Sequence, residues 1–269
     1  MPVSKYGSMV VTHIIETKEE NENTVPLHDY RATKPIGVTE KDKQTIFLQK
    51  LIKTKIHGTE ISIAAPNEIA LSLNVSSKNY QSAIQLRKNI KLNAKISNGT
   101  LYKKDITAAY DYLEKIQTSI IFAYKAVESF CNATIPDSYV YKVKNQRDIL
   151  EHYKKTEIER WISTSDKVSK ILPELLEVEP PTQNTFWSKF KQLEKLRNEI
   201  IHSKSSTNAK ILSELFSQKV DDYIKSCTLL LEYFMKKDPS NPAFPLGFGE
   251  SEIKVTKVKN VGDFFKKVD

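Results

Sequence analysis

Glycine is scarce: seven occur in 269 residues, and none lies between Gly99 and Gly247. Tight hairpins and phosphate-cradling loops use positive φ, which glycine adopts most cheaply. This window is therefore poor ground for a sheet, a dinucleotide-binding unit or a P-loop, and good ground for helices. Cysteine is scarcer. Cys131 and Cys227 stand among apolar neighbours without CxxC spacing, a pattern that indicates neither a zinc knuckle nor a disulfide framework. No run approaches the roughly 18 uninterrupted apolar residues of a membrane-spanning helix. The opening MPVSKYGSMVVTHIIETKEE lacks the apolar stretch and small-residue cleavage site of a signal peptide. The expectation is a protein of the reducing cytoplasm with no membrane association.

Acidic residues are missing from one long segment, Ile69 through Lys104, and the whole chain carries a formal net charge of +8 with a pI near 9.1. That balance favours a polyanionic partner, nucleic acid before membrane. Inside the segment, NIKLNAKI alternates apolar positions with Lys91, Asn93 and Lys95. It reads as a strand whose basic face, Lys91 and Lys95, tracks an RNA backbone, with Tyr80 and Tyr102 available for stacking. The other reading is a solvated edge strand protected by its lysines.

What is present organises the rest. Apolar residues at 39% and aromatics at 9% suffice for one large core or two small ones. Residues 17–44 read as a polar arm. Over 45–100, the runs LIKTKIH, EISIAA and NIKLNAKI, punctuated by HG at 57–58 and NG at 98–99, predict short strands or hairpins. From Asp105 to Cys131, Tyr110, Leu113, Ile116, Ile120, Ala123, Val127 and Phe130 keep helical spacing. Further helices are predicted over 146–161, over 166–176 with a bend near Pro173, after Thr182, and from Ala209 to Met235. The proline-rich DPSNPAFPLGF then leads to EIKVTKV, a strand able to return to the N-terminal sheet. The expected architecture is mainly α. It comprises an antiparallel bundle of four to five helices over 104–238, a smaller β-containing region over 1–103, and a C-terminal extension over 239–269.

Arginine is the last scarcity: the chain has 36 lysines and five arginines. One of the five sits in LEKLRNEIIHSKS, residues 193–205. At about 100° per residue, with Phe190 at zero, Arg197 falls at about 340°, inside the arc of Phe186, Leu193, Leu196, Ile200 and Ile201. A cation there needs an anionic partner, and Glu194, one turn earlier, is the resident candidate. Asn198 and His202 are i and i+4 and share one edge of the helix. Arg197 is thus expected to point into a cleft between helices, with Asn198 and His202 on its rim and Glu199 facing solvent. The polar SKSSTN ends the helix, which frees His202 to swing toward Arg197, and its Lys204 is a further RNA-binding candidate.

An R-N-x3-H sequence ending the penultimate helix of a helical bundle resembles the HEPN superfamily (higher eukaryotes and prokaryotes nucleotide-binding domain), whose ribonuclease members carry an Arg-x4-6-His motif. The first helix, AYDYLEKIQTSIIFAYKAVESF, is similar to the long first helix of that fold, and the resemblance covers roughly 104–238. It implies a metal-independent endoribonuclease without a cofactor, with Arg197, Asn198 and His202 catalytic and Glu194 in support. It also implies a homodimer whose two motifs face one cleft, and a role as a toxin, abortive-infection or antiviral defence effector held by an antitoxin or regulatory protein. Some members lack nuclease activity, so the alternative is a silent module that binds RNA or a partner protein. A plainer alternative keeps Arg197 and Glu194 as a buried ion pair and His202 as a helix-end cation.

The chemistry suits these residue types. RNA carries its own nucleophile, the 2′-hydroxyl, so cleavage asks for a base that titrates near neutrality and a fixed cation for the developing phosphorane charge. Arginine outperforms lysine in the second role because its rigid fork grips two phosphate oxygens. His13, His28, His57 and His152 have no partners at metal-ligand spacing, and Trp161 and Trp187 read as core residues.

Overall fold

The computed structural model describes residues 9–11, 29–40, 45–90, 103–144, 147–202 and 209–260. The predicted strand NIKLNAKI beyond its first residues, the NG pair at 98–99, Tyr102, Lys91, Lys95 and Lys204 lie outside the described residues. The chain is mainly helical with an N-terminal strand-containing region, and divides into two compact units, Met1–Ala70 with Met235–Asp269, and Leu71–Phe234.

The first unit is built on a mixed sheet. Strands β1 (Met9–Val11), β2 (Ile36–Glu40) and β3 (Thr45–Ile56) are antiparallel, with β3 central, and β4 (Thr59–Ala64) folds back on the far half of β3. The 17–44 segment is therefore not a polar arm throughout, since Val38 in β2 is fully buried. The turn between β3 and β4 is the predicted HG pair: His57 and Gly58 both take positive φ, 49° and 82°, as a two-residue hairpin with the strands' own twist requires. Within EIKVTKV a strand forms at Val255–Val258 and pairs in parallel with β2, Gly37 opposite Val255. A Cβ at 37 would stand 2.9 Å from the Val255 Cγ2, so any larger residue there forces the Val255 side chain to shift.

Polar side chains tie this unit across long sequence gaps. The Lys34 ammonium donates to the Pro239 carbonyl at 3.1 Å and to the Ser251 hydroxyl at 2.9 Å, and burial pushes its pKa down. Asn67 accepts from the Ala70 N–H at 3.0 Å, capping helix α1 (Glu68–Asn89), while its amide donates to the Ala243 carbonyl at 2.9 Å. Helix α1 itself corrects the strand prediction over 68–89. Its polar, glycine-free NVSSKNYQSAIQLRKN obscures an apolar stripe that alternation alone does not reveal, and Tyr80 sits half-buried on it beside Asp221, not on a basic strand.

The second unit is organised around α2 (Lys103–Thr134). Its buried seam is Ala109, Tyr112, Ile116, Ile120, Ala123, Val127 and Phe130. The periodicity was predicted, but Tyr110 is 65% exposed and the seam passes it through Ala109, one position before, and Tyr112, two after. After α2 comes a hairpin, β5 (Val140–Lys144) with β6 (Leu150–Lys154), where a helix over 146–161 was predicted; only α3 (Lys155–Trp161) is helical there. The turn needs no glycine because Asp148 takes φ 60°, and a short polar side chain tolerates that region.

Next, α4 (Thr164–Asp166) passes through a π turn, Lys167–Ile171, into α5 (Leu172–Leu176). The Leu172 N–H bonds five residues back to Lys167, and Pro173 supplies no N–H, so the helix expected to be interrupted near Pro173 is interrupted by this π turn. Helix α6 (Thr185–Ile201) follows. The predicted helix over 209–235 is two, α7 (Ala209–Leu215) and α8 (Lys219–Lys237), separated at Phe216–Gln218. Phe234 of α8 packs on Phe130 with ring centroids 5.4 Å apart, and Phe216 stacks on Tyr112 at 4.9 Å. Cys131 and Cys227 are buried free thiols, and burial raises the Cys131 pKa to about 12. Among the described residues no helix is long and apolar enough to cross a membrane.

Asn67 both caps α1 and reaches the C-terminal segment, so Asn67→Ala removes two buried hydrogen bonds at once. Its unfolding free energy in urea should drop by about 1–3 kcal/mol. A variant unfolding like the parent contradicts that role.

Candidate functional site

The site begins with a buried acid. Glu194 on α6 is 8% exposed, and a carboxylate cannot be buried in ionised form without donors. Four reach it. The Tyr124 hydroxyl of α2 donates at 3.0 Å, the Ser165 N–H of α4 at 3.3 Å, and the Lys191 ammonium at 2.6 Å, with the Ser165 hydroxyl closing the set. Lys191 also donates to the Ser165 hydroxyl at 2.8 Å. Burial alone would raise the Glu194 pKa, but the hydrogen bonds and charge of Lys191, together with Ser165 and Tyr124, hold it below its ordinary value.

This arrangement changes the expected partner of Arg197. Glu194 is engaged by Lys191, Ser165 and Tyr124, and Arg197 instead lays its guanidinium over the Tyr124 ring, 4.9 Å from the centroid. The reason is rotational: the two residues are three apart, and Tyr124 fits between them, offering its hydroxyl to the acid and its ring face to the cation. Tyr124 therefore links Glu194 to Arg197. The predicted buried Arg197–Glu194 ion pair does not form.

Arg197 Nη1 donates to the Asn198 side-chain oxygen at 2.9 Å, while its Nε is buried and makes no hydrogen bond. Asn198 and His202 are both exposed and line one open groove of about 570 Å³ along α6, together with Lys191, Lys195 and Glu199. Glu199 is half-buried in that groove and not on an outer solvated face. His202 is the C-cap of α6, with φ −103° and its N–H donated to the Asn198 carbonyl at 2.9 Å, which anchors the backbone and leaves the imidazole at the helix end. The structure thus brings Asn198 and His202 into one groove. Arg197 is not in its lining and meets it through Asn198.

A second depression, of about 360 Å³, adjoins the first: Lys191, Glu194 and Asn198 line both. Its far wall is formed by Glu128 of α2 and by Glu159, Arg160 and Trp161 at the end of α3. Trp161 was read as core, yet it is 59% exposed. The signal for it was present in ERWIST, a basic–aromatic pair directly before a helix stop. Comparisons with models of known families, with curated proteins and with solved structures find no match.

Because the pKa of Glu194 is depressed in the folded state, its contribution to stability is complete above its ordinary value of 4.5 and is lost as pH falls through the lower folded value. Glu194→Gln should therefore unfold about 1–3 kcal/mol more easily at pH 7 and show a shallower loss of stability on acidification. Urea melts between pH 7 and pH 3 test this, and parallel profiles for variant and parent contradict it.

Proposed function

We propose that the chain is a metal-independent endoribonuclease of HEPN type, cleaving RNA by attack of the 2′-hydroxyl. The observation that carries this reading is the last turn of α6. There Asn198 accepts from the Arg197 guanidinium at 2.9 Å and shares an open groove with His202, so an amide and an imidazole face a space open to a phosphate and the cation adjoins it through Asn198. A helical unit built around the long α2 is compatible with a HEPN-like bundle, although α1 precedes it.

In this reading the His202 imidazole takes the proton from the ribose 2′-oxygen as that oxygen bonds to phosphorus. The phosphorus–5′-oxygen bond then breaks, leaving a 2′,3′-cyclic phosphate upstream. Arg197 and Asn198 meet the charge that develops on the non-bridging oxygens. The departing 5′-oxygen takes its proton from the imidazolium of a second copy, which is why a homodimer with facing α6 ends belongs to the proposal. Lys191 and Lys195 in the groove supply counter-charge for the backbone, as do Lys91, Lys95 and Lys204 in the sequence. Such an enzyme acts in the cytoplasm as a toxic or antiviral defence effector, held in check by an antitoxin or regulatory protein.

One observation favours a second reading, a silent module that binds RNA or a protein partner: Arg197 packs on Tyr124 and is absent from the groove lining. The two readings part in one experiment. Total RNA incubated with the protein and EDTA should yield fragments ending in cyclic phosphate and 5′-hydroxyl. Arg197→Ala and His202→Ala should each lower the rate by at least about 100-fold, the scale of losing a general base or an oxyanion partner, with helical circular dichroism unchanged. Intact RNA, or 5′-phosphate ends, selects the silent module.

A further inference from the structure

The wall of the second depression carries groups that the cleavage reading leaves idle. Trp161 presents most of its surface to solvent at the edge of a polar cavity of about 360 Å³, within the range of roughly 300–1,000 Å³ in which small molecules bind. An indole in that position is a stacking platform for a planar ring. Glu128 and Glu159 line the same cavity. Among the described residues their carboxylates accept no hydrogen bond and form no ion pair, although both lie within electrostatic reach of the buried Lys167 ammonium.

We propose that this pocket is a base subsite for guanine, whose ring stacks on Trp161 while its N1–H and N2–H donate to the carboxylate wall of Glu128 and Glu159. The choice of base follows from hydrogen-bond inventories. A carboxylate only accepts, through two adjacent oxygens, and so needs two adjacent donors. Guanine offers them on its Watson–Crick edge. Adenine and cytosine place a ring-nitrogen acceptor beside their amine, and uracil flanks its one N–H with carbonyls. Splayed bases read on that edge and stacked on aromatics are the usual form of sequence-specific RNA recognition. The pocket shares Lys191 and Asn198 with the groove that His202 lines, so one nucleotide can set its base here and its phosphate there. The inference rests on the RNA reading of that groove and adds the base next to the cleaved bond.

The test is direct binding to the full chain. In a Trp187→Phe background, where Trp161 is the remaining tryptophan, guanosine 5′-monophosphate should quench the fluorescence. It should bind at least about fivefold tighter than the adenosine, cytidine and uridine monophosphates, and inosine monophosphate, lacking the 2-amino group, should bind more weakly than it. By calorimetry, Trp161→Leu in the parent chain should weaken guanosine monophosphate binding at least about fivefold, the low end of a lost stacking partner. Glu128→Gln with Glu159→Gln should erase the base preference while the circular dichroism is retained. Absence of quenching, or equal binding of all four nucleotides, overturns the subsite even if the protein cleaves RNA. Guanine-selective binding without RNA cleavage supports the subsite and removes only the nuclease reading.

Discussion

A buried carboxylate that must be satisfied sets the geometry of the helical unit around α6. Glu194 draws donors from α2, α4 and its own helix. An ionised acid removed from water tolerates the loss of none of them cheaply, since each missing donor leaves part of its charge uncompensated. The requirement fixes both the height and the rotation of α6 against α2. It also chooses the role of Tyr124. With the hydroxyl committed to Glu194, the ring face is turned to Arg197, three residues further along, at 4.9 Å.

The candidate site inherits this geometry. One turn separates the anchored acid from Arg197 and Asn198, and another leads to His202 at the cap, so these side chains stand at the end of a helix whose earlier turns are locked. Anchoring through α2 and α4 places the α3 terminus, with Glu159 and Trp161, across from Asn198 and Lys191. The groove on α6 carries Lys191 and Lys195 beside Glu194 and Glu199, and the facing wall carries Glu128 and Glu159 beside Arg160.

The amino-acid sequence by itself determined the features that depend on local periodicity and on single backbone demands. The helical period of α2, the interruption before Pro173, the His57–Gly58 turn and the C-terminal strand were legible, because each follows from residue spacing or from φ preferences within a few positions. The R-N-x3-H spacing placed Asn198 and His202 on one edge for the same reason. The β5–β6 hairpin was not legible because Asp148 adopts the conformation that glycine scarcity had been taken to exclude. Helix α1 was not because its apolar stripe is thin. The tertiary structure alone decided who meets whom. A helical wheel gives an angle but no neighbour on another element, so the partnership of Glu194 with Ser165 and Tyr124 and the seat of Arg197 on Tyr124 emerged only when α2 and α4 were packed around α6. Satisfying a buried charge is a property of everything surrounding it.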